Sequence, residues 1–488
     1  MSDVKNLLKE SGYQATIGLE VHVQLNTESK LFAPDSNAFT DEPNTHISPI
    51  TMGHPGTLPM LNEAVLKKAI MMGLACDCEI TQHNHFARKN YFYPDLPKGY
   101  QITQDKTPIC MGGRVPLVGD GLSKGYAALH HIHLEEDAGK SIHDEGADTL
   151  IDLNRAGTPL IEIVTEPEME EAAEAAAMLQ EIRRLVRYLD ISGGNMENGE
   201  LRCDANISIK PIGNQVLGNK VEIKNMNSIS NVRKAIDFEI RRQLECVKNK
   251  EEILVETRTF DAGNGQTYGM RFKETMNDYR YFPDPDLAPV EIEDAYLAEV
   301  RSSLPALPSR LRAKFTKEYQ LNDYDVALLT EEKETAFFFD ALCESTHNYK
   351  AAANWMNGPL KGLLNEKGVG IDDSGISAER LAALIKLVDE NQLSFSIASQ
   401  RILPVLMDTE ESAMTIATRL NLLMVGNEDE LSGLVKDVLV SLPDKVAAFK
   451  KGKKGLMGLF MGEVMKKSKG KADPKKLQQL LQKALNEE

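Results

Sequence analysis

The hydrophobic pattern of this 488-residue chain changes rhythm near residue 300, and that change limits its possible folds more than any other feature. Upstream, short alternating runs are broken by Gly, Pro, Asn and Asp; downstream, leucine-rich helical spacing takes over. Alternation marks strands with one buried face, and spacing of three to four marks helices. The expectation is therefore an α+β part followed by an all-α part. Between them, LPALPSR (Leu304 to Arg310) carries two prolines, which lack an amide donor and restrict the preceding residue, and it reads as the linker. At roughly 100 to 200 residues per domain, the length suggests about three domains.

Four runs before the linker read as strands with a polar face. In LEVHVQL, Leu19, Val21, Val23 and Leu25 point one way and Glu20, His22 and Gln24 the other. In LRCDANISIK the buried set is Leu201, Cys203, Ala205, Ile207 and Ile209, opposite Arg202, Asp204, Asn206, Ser208 and Lys210. HHIHLEED buries Ile132 and Leu134, which puts His130 and Glu136 on their face and His131, His133 and Glu135 opposite. VEIKN places Glu222 beside Lys224. Helical spacing predicts one helix over Met169 to Asp190, started by Pro167 and ended by Gly193-Gly194, and a second after Ser228, a capping hydroxyl. Near the C-terminus, Asp473-Pro474 reads as an N-cap and first turn for a helix with Leu477, Leu480, Leu481, Ala484 and Leu485 on one face.

Composition narrows the function classes. Hydrophobic residues make up 42% and charged ones 26%, a globular balance rather than a disordered one. No apolar run is long enough to cross a bilayer and the N-terminus lacks a secretory pattern, so the expected location is the cytoplasm, with no membrane partner. Six cysteines are too few for a disulfide framework, and Cys76 and Cys78 have no second pair to complete a zinc site, so no zinc is expected. The net charge of −17 argues against nonspecific binding of DNA or other nucleic acid by the whole molecule. The C-terminal end reverses that sign: from Lys450 to Lys483 there are eleven lysines against Glu463 and Asp473, a candidate polyanion contact or simply a solvated helix face.

Carboxylates and a histidine on the polar faces of neighbouring strands form an oxygen-rich cup of the kind magnesium requires. Glu20, His22, Glu136 and Asp204 are the candidates. Like-charged carboxylates repel, so such a cluster makes sense around a cation; alternation alone leaves open that each acid faces water. Arg88, Lys89 and Lys98, in FARKNYFYPDLPKGYQI, could hold phosphate or could pack a basic loop. Asp152, Asn154, Arg155 and Glu162 surround a Gly-Thr-Pro turn. There is no Walker loop, no dinucleotide fingerprint, no G-x-S-x-G elbow and no amidase signature, so any amide-forming chemistry needs ammonia from elsewhere.

Several long runs resemble the B-subunit family of the tRNA-dependent amidotransferases that act on Glu-tRNA(Gln) and Asp-tRNA(Asn). They are IGLEVHVQLNTESKLF (Ile17 to Phe32), HPGTLPMLN (His54 to Asn62), RKNYFYPDLPKGYQITQ (Arg88 to Gln104), HLEEDAGKS (His133 to Ser141), DLNRAGTPLIEIVTEP, LRCDANISI, VEIKNMNSI, ETRTFD and DYRYFPDPDL (Asp278 to Leu287). The tail GLFMGEVMKKSKGKADPKKLQQLL is similar to that of small YqeY-type proteins. The resemblance implies a cradle of glutamine synthetase/guanido kinase type with an antiparallel sheet over residues 1–303, a helical domain over 304–415 and a YqeY-like, tRNA-contacting tail over 416–488. It places Glu20, His22, Glu136 and Asp204 at the magnesium site, with Glu135 and Glu222 as neighbours, and makes Lys89 and Arg155 candidates for the phosphate and substrate carboxylate. It implies ATP-dependent activation of the mischarged residue's carboxylate and amidation by ammonia from a partner amidase (A) subunit, the pair being braced by a small C subunit. The competing reading is a non-catalytic scaffold that positions tRNA.

Overall fold

The structure is a computed structural model that describes residues 3–142, 148–272, 279–424, 428–468, 471–472 and 474–486. It divides into two compact units, Met1–Ser309 and Arg310–Glu488. That division falls inside the proline-bearing segment, although Pro308 is already the first residue of a helix, Pro308–Lys317.

The first unit is organised by one large sheet. Its main strands are β1 (Tyr13–Gln24), β2 (Ala87–Asn90), β3 (Tyr100–Thr103), β4 (Tyr126–Glu136), β5 (Pro159–Thr165), β6 (Leu201–Pro211), β7 (Val221–Lys224), β8 (Glu256–Asp261), β9 (Gln266–Phe272) and β10 (Phe282–Pro283). They lie in the order β9-β8-β7-β6-β1-β5-β4-β3-β2-β10, with three short strands pairing off this path. The sheet is not wholly antiparallel as expected: β7 and β8 run parallel, joined by the long helix between them. A parallel pair needs such a crossover, whereas a hairpin joins antiparallel neighbours.

Two helices pack on the apolar face, α1 (Ala172–Tyr188) and α2 (Ile229–Asn249), both where helical spacing predicts them. Glu174 starts α1 by accepting the amides of Glu170 (2.9 Å) and Glu171 (3.3 Å), and Ser228 caps α2 by accepting the amide of Asn231 at 3.1 Å. Their faces meet Ile17, Leu19, Val21 and Val23 of β1 and Leu201, Cys203, Ala205, Ile207 and Ile209 of β6, all buried. Each Val, Leu or Ile among them contributes roughly 1.5–3 kcal/mol, whereas a like-charged cross-strand pair opposes by only roughly 0.2–1 kcal/mol. The buried face therefore fixes the register, and the opposite face can carry repelling acids.

The second unit is helical. Near its end, α3 (Glu428–Ser441), α4 (Met457–Lys467) and α5 (Pro474–Asn486) share a core of Leu431, Val435, Phe460, Val464, Leu477 and Leu481. The predicted leucine face of α5 is thus the packed face, and Phe460 is an interior residue of this bundle. The proposed cap Asp473, and Asp278 at the start of DYRYFPDPDL, lie outside the described residues. No helix among the described residues is long and apolar enough to cross a membrane.

Candidate active site

Register across the centre of the sheet decides which polar side chains meet. On β1, Glu20 is directly opposite Asp204 of β6, and His22 is opposite both Arg202 of β6 and Glu162 of β5. Glu162 is in turn opposite His133 of β4, and Asn206 is opposite Glu222 of β7. Directly paired residues share a face, so these side chains form a band over the polar side of β4, β5, β1, β6 and β7.

The band resolves into two clusters, His22 with Glu135 and Glu162, and Glu20 with Asp204 and Glu222. Within each, one ligand atom from every residue lies within 4.8 Å of the others, a spacing one cation can bridge. In the first, His22 Nε2 stands 3.3 Å from Glu162 and 3.6 Å from Glu135. His133 backs the same two acids at 3.4 and 3.8 Å, and Gln101 donates to Glu135 at 2.9 Å. In the second, Asn206 Nδ2 donates to Glu20 at 2.9 Å, Thr257 donates to Glu222 at 2.8 Å, and Lys224 pairs with both Asp204 and Glu222, the latter at 3.1 Å.

The charges in the two clusters behave differently. Burial, reinforced by Glu162, Glu222 and Asp204, pushes the Glu20 carboxyl above its ordinary value. Burial alone would lower His22, but its hydrogen bond to Glu162 and the charges of Glu162 and Glu135 overturn this and lift it to about 9. Burial works against Glu162 as well, yet His22, His133 and Lys89 bring it down to about 2. The first cluster is thus internally neutralised by imidazolium, while in the second Lys224 pairs with Asp204 and Glu222 and Glu20 is left among like charges.

Of the residues singled out in the sequence, Glu20, His22, Asp204 and Glu222 are brought together. Glu136 is not. It points to the other side of β4, where it pairs with Lys98 and accepts the Ile102 amide at 2.9 Å; its neighbour Glu135 faces the site. Lys89 approaches the ring of Tyr279 at 5.0 Å and acts on Glu162 through its charge. Arg155 is held by the carbonyls of Ala138 (3.0 Å) and Gly139 (2.7 Å) and reaches the site through Asp137 at 3.5 Å, a carboxylate that also takes Arg202 at 2.7 Å. Glu162, read from the sequence only as part of a polar turn, belongs to the centre. The signal was present: in PLIEIV it is the one charged side chain, alternating against Ile161 and Ile163.

Two clusters of acids side by side, with basic groups at the margin, suit handling of phosphate with divalent cations. Comparison with known proteins bears on the reaction itself. The GatB/GatE catalytic domain matches residues 15–298, and the GatB domain matches residues 337–485. The B subunit of the aspartyl/glutamyl-tRNA(Asn/Gln) amidotransferase of Chlorobium luteolum is 45% identical over 473 residues, covering 97% of this chain and 99% of that protein. Those of Chlorobium phaeobacteroides and Persephonella marina are 46% and 44% identical, each over 97% of this chain and 99% of their own length. The chain belongs to the family of B subunits of the aspartyl/glutamyl-tRNA(Asn/Gln) amidotransferases, tRNA-dependent enzymes of the glutamine-dependent carbon-nitrogen ligase class.

Proposed function

We propose that this chain activates the side-chain carboxylate of Glu-tRNA(Gln) or Asp-tRNA(Asn) by transfer of the ATP γ-phosphate, and amidates the resulting acyl phosphate with ammonia from a partner amidase (A) subunit. The observation that carries this reading is the pair of acidic clusters on one open sheet face. Such a face supplies the hard oxygen donors that magnesium takes, with His22 and Lys224 offsetting part of its charge. Five carboxylates with one imidazole, and a Glu20 carboxyl held above its usual range by burial and then by its acidic neighbours, fit a magnesium site. His22, Glu135 and Glu162 would hold one ion and Glu20, Asp204 and Glu222 another. Bound there, magnesium supplies neutralisation of phosphate charge.

The protein's own groups account for the rest. Lys89, beside Glu162, is placed to steady the transferring phosphoryl group, and Arg155 with Arg202, gathered on Asp137, to orient the substrate carboxylate. Phosphoryl transfer needs position and charge rather than a covalent nucleophile, consistent with buried cysteines whose thiols burial pushes up, Cys203 among them. Ammonia then displaces phosphate, which requires that water be kept from the acyl phosphate.

The same reading makes residues 1–303 a cradle of glutamine synthetase/guanido kinase type, 304–415 a helical domain and 416–488 a YqeY-like tail. Exposed Lys450, Lys453, Lys454, Lys466 and Lys467 suit contact with a tRNA backbone. The cytoplasmic heterotrimer is completed by a small C subunit. The test follows conversion of Glu-tRNA to Gln-tRNA by the reconstituted complex, with ammonium replacing glutamine, in wild type and Glu162→Gln. The variant should retain tRNA binding and lose both ADP formation and product. A fully active variant would remove the acidic face from the chemistry, and turnover without ATP would remove the reaction.

A further inference from the structure

The far edge of the sheet carries an aromatic cluster that the chemistry proposed above does not use. The Tyr279 ring stands edge-to-face between two others, 6.2 Å and 69° from Tyr91 and 6.1 Å and 74° from Tyr281. Pairs at this spacing are favourable, so the three rings hold one another as a unit. The backbone fixes them as well. β10 pairs with β2, which sets Phe282 opposite Arg88. Just before β10, the Asn90 amide donates to the Tyr279 carbonyl at 3.0 Å, and the Asn90 side chain donates to the carbonyls of Tyr279 (3.1 Å) and Arg280 (2.9 Å). Just after it, Arg88 closes on Asp284 at 2.8 Å and on Asp286 at 2.7 Å.

Strand parity decides what the rings look onto. Lys89 is opposite Gln101 of β3, which donates to Glu135 at 2.9 Å, so Lys89 shares the face of the His22 cluster. Tyr91, two residues on, keeps that face. Phe282 shares the other face with Arg88, which turns its neighbour Tyr281 to the side of Lys89. Lys89 Nζ stands 5.0 Å from the centre of the Tyr279 ring. Electrostatics agrees with this placement. Burial raises the Tyr281 hydroxyl to about 12, and Glu135 and Glu162 are among the charges that add to it. Burial raises Tyr91 too, with Glu135 the first charge to reinforce it. Packing is a poor account of the cluster: the three rings stand outside the buried core of this unit, and Tyr281 is 41% exposed.

We infer that Tyr91, Tyr279 and Tyr281 form the wall that keeps water from the acyl phosphate, with Tyr281 the positioning residue that decides whether ammonia or water takes the acyl group. This rests on the two-step reaction proposed above and adds what protects its intermediate. Either nucleophile attacks the acyl carbon and breaks its bond to the phosphate oxygen, releasing inorganic phosphate. Ammonia loses a proton and leaves the amide. Water loses a proton and returns the original carboxylate, so an ATP is consumed without product. Water vastly outnumbers ammonia in solution, so the choice has to be made by exclusion, which apolar ring bodies supply. The same rings keep water from Lys89, whose charge acts on Glu162 and on a phosphoryl group more strongly in a low dielectric.

The test uses the complex reconstituted with its partner subunits and ammonium as donor. ADP and Gln-tRNA are read in the same samples for wild type, Tyr281→Ala and Tyr281→Phe. The exposure of Tyr281 makes both substitutions compatible with folding. Tyr281→Ala opens the wall and should raise the ADP formed per Gln-tRNA several-fold, the excess requiring Glu-tRNA and falling as ammonium is raised. Tyr281→Phe keeps the ring and should keep the wild-type ratio. A purely structural role would lower both products together and leave the ratio unchanged, which overturns the inference. So does excess ADP made without Glu-tRNA, which puts the water on ATP itself. A Phe variant as uncoupled as the Ala variant also overturns it, by assigning the effect to the hydroxyl. Wild type that forms Gln-tRNA without ADP sinks the proposed function instead, an outcome that no ratio in a variant can mimic.

Discussion

Replacing Glu20 by Gln should stabilise the metal-free protein and disable it. Glu20 is directly opposite Asp204, with Glu162 and Glu222 close enough to raise its carboxyl further. Gln has the same length and keeps an oxygen for the Asn206 amide, so the substitution removes charge and little else. A like-charged cross-strand pair costs roughly 0.2–1 kcal/mol, and with three acidic neighbours the gain belongs at the upper end, about 1 kcal/mol. For a unit of this size that is on the order of 2 °C in the melting midpoint. The sign depends on pH. Because the folded carboxyl titrates above its ordinary 4.5, its contribution to stability is full below that value and drains away as pH rises through the raised one. The advantage of Gln is therefore largest near neutrality and vanishes in acid. Magnesium at the proposed site should reverse the ranking, since a bound ion stabilises by mass action, about 2.7 kcal/mol at a hundredfold excess over Kd, and the variant lacks one of the proposed ligands. Scanning calorimetry in EDTA and then in saturating magnesium reads both effects. A variant that melts below wild type in EDTA, or that gains as much from magnesium, would refute the reasoning.

Two further outcomes are expected. His22, lifted from 6.5 to about 9, stabilises the metal-free fold fully below pH 6.5, and this contribution is lost as pH rises through about 9; His22→Gln should thus lower the urea midpoint in mild acid and hardly at all above that range, and an equal loss at both ends would refute the pairing. Glu239 of α2 is fully buried and accepts Arg242 at 2.7 Å, Gln243 at 2.9 Å and Thr267 at 3.2 Å; Glu239→Ala strands those donors and should cost about 3 kcal/mol in urea unfolding, with ATP affinity of the folded fraction unchanged.

Much of the sheet was legible because its two faces differ so sharply. Alternation in LEVHVQL and LRCDANISIK assigned every buried side chain of β1 and β6 that the structure buries within those runs apart from Ser208, and those two strands prove to be direct neighbours. Alternation also placed Glu135 on the open face and Glu136 on the apolar one; choosing Glu136 for the cup set residue type above parity. His130 broke the pattern for a physical reason, a register shift against β5 beside Val164, which leaves it exposed instead of sharing the face of Ile132. Strand order was not legible. Nothing local tells that β5, distant in sequence from β1, contributes Glu162 opposite His22, nor that β7 and β8 run parallel, because pairing depends on which apolar faces α1 and α2 can cover together.

Lys224 gives the second cluster a property that a bare set of acids lacks. Burial draws its amine down, but Asp204 and Glu222 more than reverse this, so it stays charged among them. An ion arriving there competes with an ammonium that is tethered and cannot diffuse away. A singly charged ion gains no electrostatic advantage over that occupant, whereas a doubly charged one does. At the proposed magnesium site the lysine would therefore act as a valence filter, holding the place against sodium and potassium and yielding to an ion that brings twice its charge.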